Sequence, residues 1–280
     1  MAKTLRLDEN FDYCIIGDIH SCLDELKELI SDNKGWRIDE QGMMHNTSII
    51  FPHKETPHSF KFILIGDYLD KGPQLTDTIE FIYQNRKHFI IVKGNHENFA
   101  YKYLTGARGS YQLNKDLIEG YFNSIFILEK FPKLREKFFT LFGESYDFVD
   151  CKRFIVTHAP CKKEYLGGTD KKAIDSQRNF VYPKRKDYDT EENYLQARKE
   201  AFAFLNEKLD TNQYHIFGHV ITKEVFNNEH RIGIDTGCAD GGALSCVMFY
   251  HDMPDIFFSS YKSKKGKMID LNKELIFENA

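Results

Sequence analysis

The 280-residue chain contains no apolar run that approaches the length of a membrane span. The N-terminal stretch Met1-Ala2-Lys3-Thr4-Leu5-Arg6-Leu7-Asp8 lacks the apolar segment of a secretory leader. None of the six cysteines (14, 22, 151, 161, 238 and 246) forms a Cys-x-x-Cys pair. They read as reduced thiols of a cytoplasmic protein rather than as a disulfide frame. A net charge of −4 argues against a general nucleic-acid coat, although it leaves room for a local basic patch. Internal repeats and low-complexity linkers are also missing. What is present is 41% hydrophobic sequence, enough for a sizeable core. One domain over residues 1–280 is expected, with a helical insertion near 98–142 and a charged insertion near 162–210.

Apolar runs that end in metal-type ligands organise the chain. Phe60-Lys61-Phe62-Ile63-Leu64-Ile65 runs into Gly66-Asp67-Tyr68-Leu69-Asp70-Lys71-Gly72. Cys14-Ile15-Ile16 runs into Gly17-Asp18-Ile19-His20, and Phe89-Ile90-Ile91-Val92 into Lys93-Gly94-Asn95-His96-Glu97. Phe154-Ile155-Val156 runs into Thr157-His158, and His215-Ile216-Phe217 into Gly218-His219. Each run is short enough to be a buried strand. A strand that stops in a glycine and an aspartate places a carboxylate at its carboxyl end, where ligands and metals collect in α/β sheets. One Gly-Asp after a strand is usually a turn. Five such endings in order are not explained that way.

The rest of the chain can be read more coarsely. Phe11 to Ile16 is a first strand. Ser21 is placed to cap the following helix, with Asp24 at capping-box distance and Leu23, Leu26, Leu29 and Ile30 on one face. Trp36-Arg37-Ile38 and Ser48-Ile49-Ile50-Phe51 read as a hairpin around Asp39-Glu40-Gln41-Gly42. His45, His53 and His58 read as surface residues, with a separate metal site there as the alternative. Leu75, Ile79, Ile82 and Tyr83 mark a second helix after Pro73. Asn98 to Phe142 is helical and aromatic-rich, either a cover for the sheet or a cap lining a substrate groove. Residues 146–149 and 153–156 form a hairpin, and residues 162–186 are basic and read as a solvated face. A helix near 191–209 and strands at 214–217, 231–234 and 243–250 follow. Lys262, Lys264, Lys265 and Lys267 form a basic tail.

The ordered set Gly-Asp-x-His, Gly-Asp-x-x-Asp-Lys-Gly, Gly-Asn-His-Glu, His158 and Gly-His219 resembles the calcineurin-like metallophosphoesterases, more narrowly their phosphoprotein-phosphatase branch. The resemblance spans about residues 12 to 250. It implies an α/β fold: a β-sandwich of two mixed sheets flanked by helices, with a helical cap insertion. It also implies two divalent metal ions. Such a pair lowers the pKa of a bridging water and neutralises phosphate oxygens. Asp67 is the natural bridging carboxylate. By the resemblance, Asp18 and His20 complete one site, and Asn95, His158 and His219 the other. A donor set without thiolate favours manganese, iron or zinc, with manganese the first expectation. The resemblance makes His96 the general acid and Asp70 the carboxylate that orients it.

Two departures bear on substrate binding. Ser21 stands where the family usually has glycine, and Lys71 where it usually has arginine. Lysine offers phosphate a point charge rather than a two-pronged grip. Lys71, Asn95 and Arg178 are the candidate phosphate contacts. Ile234-Asp235-Thr236-Gly237-Cys238, then Gly241-Gly242-x-Leu244, resembles the tail of diadenosine tetraphosphate hydrolases and of polynucleotide phosphatases, and compact serine/threonine phosphatases have a similar Ile-Asp-Thr-Gly. The first expectation is a serine/threonine protein phosphatase. A dinucleoside polyphosphate hydrolase comes second and a polynucleotide end phosphatase third. A non-enzymatic scaffold on the same fold is disfavoured because every expected ligand is present. The expected partner is therefore a phosphorylated protein or a nucleotide, with no membrane partner.

Overall fold

The computed structural model describes residues 2–32, 35–47, 49–50, 57–58, 60–107, 122–228 and 230–263. In chain order the first strands are β1 (Thr4–Arg6), β2 (Tyr13–Ile16), β3 (Trp36–Ile38), β4 (Met44–Asn46), β5 (Ile49–Ile50), β6 (Pro57–His58), β7 (Lys61–Leu64) and β8 (Phe89–Ile91). They are followed by β9 (Phe148–Asp150), β10 (Phe154–Val156), β11 (Tyr214–Phe217), β12 (Phe226–Asn228) and β13 (Arg231–Gly233). The last are β14 (Asp235–Thr236), β15 (Ala243–Phe249) and β16 (Ile256–Lys262). The helices are α1 (Leu23–Ser31), α2 (Leu75–Gln84), α3 (Asn95–Leu104), α4 (Ser124–Lys130), α5 (Pro132–Glu144), α6 (Lys171–Arg178) and α7 (Glu191–Phe202).

Two mixed sheets form the centre. The first has the order β14-β15-β2-β7-β8, with β16 on β15; the second has the order β1-β9-β10-β11-β13-β12. Side chains alternate across each strand. Tyr13 and Ile15 of β2, with Ile63 and Val247, therefore meet Val149, Phe154, Val156, Ile216 and Ile232 of the second sheet in one buried cluster. Cys14, Ile16, Phe62 and Leu64 point the other way, into a cluster with Leu26 and Leu29 of α1, Ile79 and Ile82 of α2, and Phe138 and Leu141 of α5. A smaller cluster of Phe202, Phe204, Leu205, Phe217 and Val220 seals the outer side of the second sheet.

Strands β2, β7 and β8 are parallel neighbours. Parallel pairing needs crossovers, and α1 and α2 are among the elements of those connections. The carboxyl ends of all three strands consequently lie on one edge. Strands β10 and β11 are parallel as well, so their ends also leave from one edge of the second sheet.

Three expectations are corrected. The hairpin from β3 closes on Met44–Asn46, not on 48–51. The Asp39 carboxylate accepts from the Gln41 and Met43 backbone N–H groups, and Gly42 takes a φ of 80°, so the chain turns back early. Strand β5 pairs instead with β6. Ser21 does not cap α1: the N-cap is Cys22, and the Gln74 Oε1 accepts from the Leu23 and Asp24 N–H groups at 3.1 and 3.3 Å. The basic stretch 162–186 is not a uniformly solvated face, since it contains α6 and Arg178 is buried. His45 is exposed and bonds Asp39 at 2.7 Å. His53, Leu117, Lys264, Lys265, Lys267 and the side chain of His58 lie outside the described residues.

Candidate functional site

The strand-end loops converge. His20 N donates to Asp67 O at 2.8 Å, and Gly218 N donates to His158 O at 2.8 Å. The approach is close enough to demand glycine. A Cβ at Gly94 would fall 2.1 Å from Asp67 Oδ1, and one at Gly218 would fall 1.9 Å from Asp18 Oδ1. Among the described residues, the non-glycine positions in the left-handed region are His20, Ser21, Asp67, Asp70, Lys71 and His219. All belong to these loops. Such backbone is held at a cost and collects at functional sites.

The imidazoles share one design. His20 Nδ1 lies 2.8 Å from Leu69 O, and His158 Nδ1 lies 3.0 Å from Ile65 O. Each backbone carbonyl fixes a tautomer with Nδ1 protonated, leaving Nε2 with a free lone pair. Those Nε2 atoms stand 3.6 and 3.4 Å from Asp67 Oδ2. His219 is turned around: its Nε2 lies 2.9 Å from Phe180 O, and its Nδ1 lies 2.8 Å from Asn95 Oδ1. His158 Nε2 is 3.0 Å from the same Asn95 oxygen. His96 differs, because its Nδ1 bonds the Asp70 carboxylate at 2.7 Å while its Nε2 faces Asp67 Oδ2 at 3.8 Å. Asp70 Oδ1 is itself held by the backbone N–H of Ser124 at 2.8 Å.

Asp67 is the hub. Its Oδ1 accepts from His96 N at 3.0 Å, which leaves Oδ2 facing the three imidazoles. Burial acts to raise its carboxyl, but His158, His96 and His20 hold it well below the usual carboxylate range. Asp18 goes the other way. Burial, then the charges of Asp235 and Asp67, push it well above that range, with Lys71 opposing. Both Asp18 oxygens accept from His219 N, at 3.2 and 3.1 Å. Burial and the charges of Lys71 and His96 hold His20 well below the usual imidazole value. Burial, followed by His158, brings His219 down to about 3. Both imidazoles are therefore neutral near pH 7, the form that binds a metal.

This donor set fits two divalent cations. His20 and Asp67 gather in one group, where His96 joins them, and Asp67, His158 and His219 in another, with ligand atoms within 4.8 Å in each; Asp18 belongs to neither group. The groups share Asp67, as a bridging carboxylate requires. The ligand-type imidazoles have the outer nitrogen anchored on a carbonyl, the usual supporting arrangement around a metal. Asn95 presents its amide oxygen between two of them, and Asp18 lies beside His219.

Of the candidate phosphate contacts, Asn95 is inside this cluster. Lys71 acts on it electrostatically, since its charge bears on Asp18, His20 and Asp235. Arg178 is committed elsewhere: it pairs with Asp147 and donates to Asn98 Oδ1 at 3.1 Å. Sequence reasoning assigned no role to Glu97 or Asp235. Glu97 accepts from the N–H groups of Asp67, Leu69 and Gly94 at 2.8, 3.0 and 3.1 Å, pinning the Asp67 loop to the start of α3. Asp235 is buried beside Asp18 and Lys71, and burial pushes its carboxyl up to about 6. The signal for Glu97 is its place at the end of Gly94-Asn95-His96-Glu97. Phe122 packs on His96 at 4.9 Å, so the helical segment both covers the sheet and reaches the site.

Among the described residues, no helix is long and apolar enough to cross a membrane. A family model for calcineurin-like phosphoesterases matches residues 12–220. The chain is 29% identical over 247 residues to bis(5′-nucleosyl)-tetraphosphatase PrpE [asymmetrical] of Bacillus cereus (strain Q1), covering 85% of this chain and 90% of that protein. It is 28% identical, with the same coverage, to the protein of that name from Bacillus thuringiensis (strain Al Hakam). Among solved structures, "Crystal structure of a putative diadenosine tetraphosphatase" aligns over 95% of this chain and 100% of that one. The TM-score is 0.56 at 17% identity, a likeness of fold.

Proposed function

The chain belongs to the calcineurin-like phosphoesterase family, hydrolases of phosphoric ester bonds, and within it we propose a metal-dependent hydrolase of dinucleoside tetraphosphates. The observation that carries the substrate class is the shared name of the curated relatives, matched over most of both chains. Sequence alone ranks a phosphoprotein first. The relatives support the reverse order. The protein phosphatase stays as the second reading, because compact serine/threonine phosphatases have a stretch similar to Ile234-Asp235-Thr236-Gly237.

Asp18, His20, Asp67, Asn95, His158 and His219 would hold two divalent cations, manganese before iron or zinc. When bound, such a pair supplies charge neutralisation of the phosphate and a more acidic water. The remaining chemistry belongs to side chains. Asp67 sets the spacing of the two ligand groups. His96, oriented by Asp70 at 2.7 Å, holds a proton on Nε2 for the departing oxygen. Lys71 contributes positive charge to the phosphate side of the cluster, and Asn95 orients the reacting group through its amide. Arg178, committed to Asp147 and Asn98, is a positioning residue for α3 rather than the principal phosphate grip.

The test is a substrate panel on purified protein with manganese: diadenosine tetraphosphate, a phosphopeptide and a 3′-phosphorylated oligonucleotide. The expected result is a kcat/KM for the dinucleotide at least about tenfold above the others, which corresponds to 1.4 kcal/mol of preferential transition-state binding. The products should be nucleoside tri- and monophosphate. A phosphopeptide preferred by the same margin would replace this reading with the second.

A further inference from the structure

A second group of ligand-type side chains lies outside the Asp67 cluster. The Sγ atoms of Cys22 and Cys238 and a carboxylate oxygen of Glu25 lie within 4.8 Å of one another, and all three residues are buried. Cys22 is the N-cap of α1 and Glu25 sits in its first turn. Their spacing of three puts both on one helix face. Cys238 opens the single 3-10 turn Cys238–Asp240, just after Gly237 turns the chain with a φ of 69°. The Cys22 thiol donates to His20 O at 3.7 Å. No other cysteine enters a three-member ligand group among the described residues.

We propose that Cys22, Glu25 and Cys238 form a separate binding site for one zinc-class divalent cation. Two thiolates and a carboxylate suit a borderline-soft ion, and three protein ligands leave a fourth position for water. With Zn–S bonds of about 2.3 Å, two thiolates on one tetrahedral ion stand roughly 3.8 Å apart, inside the 4.8 Å within which these ligand atoms gather. Binding releases the two thiol protons to solvent and displaces waters from the ion. The donor chemistry separates this site from the Asp67 cluster, which has no sulfur. The cation would fasten the loop after β2, which carries Asp18 and His20, to the turn after β14, the strand that contains Asp235. It would thus act as a structural tie between two loops of the phosphoester centre.

Cobalt(II) is the probe, added to the full-length, reduced, metal-stripped protein. Thiolate ligation gives a sulfur-to-cobalt charge-transfer band in the near ultraviolet, which carboxylate, imidazole and amide donors cannot produce. The wild type should develop that band to saturation by three equivalents, the number that fills this site and the Asp67 centre together, and three equivalents of zinc should abolish it. Cys22→Ser and Cys238→Ser should each lose at least half of the band. Glu25→Gln should keep it with an affinity about tenfold weaker. A wild type without the band overturns the site, and so does a band that persists in both serine variants. Should one serine variant fail to fold, the wild-type spectrum and the other variant decide. The readout is independent of phosphoester turnover, so its failure leaves the substrate reading untouched.

Discussion

The sheet built on β2 and β7 sends Asp18, His20, Asp67, Asp70, Asn95 and His96 into the centre, whereas the sheet built on β10 and β11 sends His158 and His219. The first side supplies the carboxylates and His96, the imidazole of the centre whose outer nitrogen is bonded to a carboxylate. The second supplies imidazoles anchored on the carbonyls of Ile65 and Phe180. A carbonyl holds a neutral ring in one tautomer. A carboxylate instead accepts the Nδ1 proton and turns Nε2 toward the centre, the orientation that the proposed acid needs. One residue type thus serves two purposes, and its partner at the outer nitrogen decides which.

Asp67→Asn tests this contrast most severely. It removes the charge shared by both ligand groups while preserving the shape. Bound metal, measured by elemental analysis, should fall to a minor fraction. Activity should drop beyond the about 10⁴-fold ceiling of a lost acid–base group. Full metal content in the variant would remove Asp67 from its assigned place.

His96→Asn sharpens the contrast between the two kinds of imidazole. The backbone N–H that binds Asp67 Oδ1 survives the change, so metal content should stay at the wild-type level. Turnover of an alkyl phosphate should fall about 10²–10⁴-fold. The loss should be much smaller for a nitrophenyl ester, whose leaving group needs no proton. Equal losses on both esters would mean that His96 donates no proton.

The smallest effect concerns His215 on β11, below the centre. Its Nδ1 accepts from Arg231 at 2.9 Å, and its Nε2 lies 2.8 Å from the Thr157 hydroxyl, which donates to Ala159 O. Burial, then the Arg231 charge, holds it well below the usual imidazole value. The folded state therefore refuses a proton that the unfolded chain accepts below about pH 6.5. Its contribution to stability is complete above that value and declines as pH falls, by up to about 1.4 kcal/mol per pH unit. Urea midpoints at about pH 7.5 and 5.5 should separate further for the wild type than for His215→Gln. Identical separations would show that the second sheet does not depend on a neutral ring here.

The ligand-type residues were legible because each follows an apolar run directly, so a pattern of strand, glycine and ligand suffices to find it. The two-sheet architecture followed from the resemblance those endings carry. What stayed hidden depends on backbone or on distant chain. The carbonyls of Leu69, Ile65 and Phe180, which orient the rings, leave no trace in side-chain identity. Gln74 caps α1 from about fifty residues away, and the local Ser21/Asp24 pattern pointed to the wrong residue. Strand β12 (Phe226–Asn228) lacks apolar alternation and takes its place only because β13 offers an edge. The phosphate role expected for Arg178 met a competitor in Asp147, which lies 31 positions earlier.

The route of the chain also sets when the centre can come into being. His219 N closes on Asp18 across 201 positions. Strand β15, the neighbour of β2 in the first sheet, is made later still. At about 5–20 residues per second, Asp18 leaves the ribosome roughly 10–40 s before His219. The first proposed ligands thus spend that interval without the last. Contacts of such long range form late, because closure of the loop precedes any gain from it. On the proposed reading, metal uptake at both ligand groups would follow synthesis of His219. A chain cut just before residue 243 would contain every proposed metal ligand but lack the strand on which the Asp18 loop is seated.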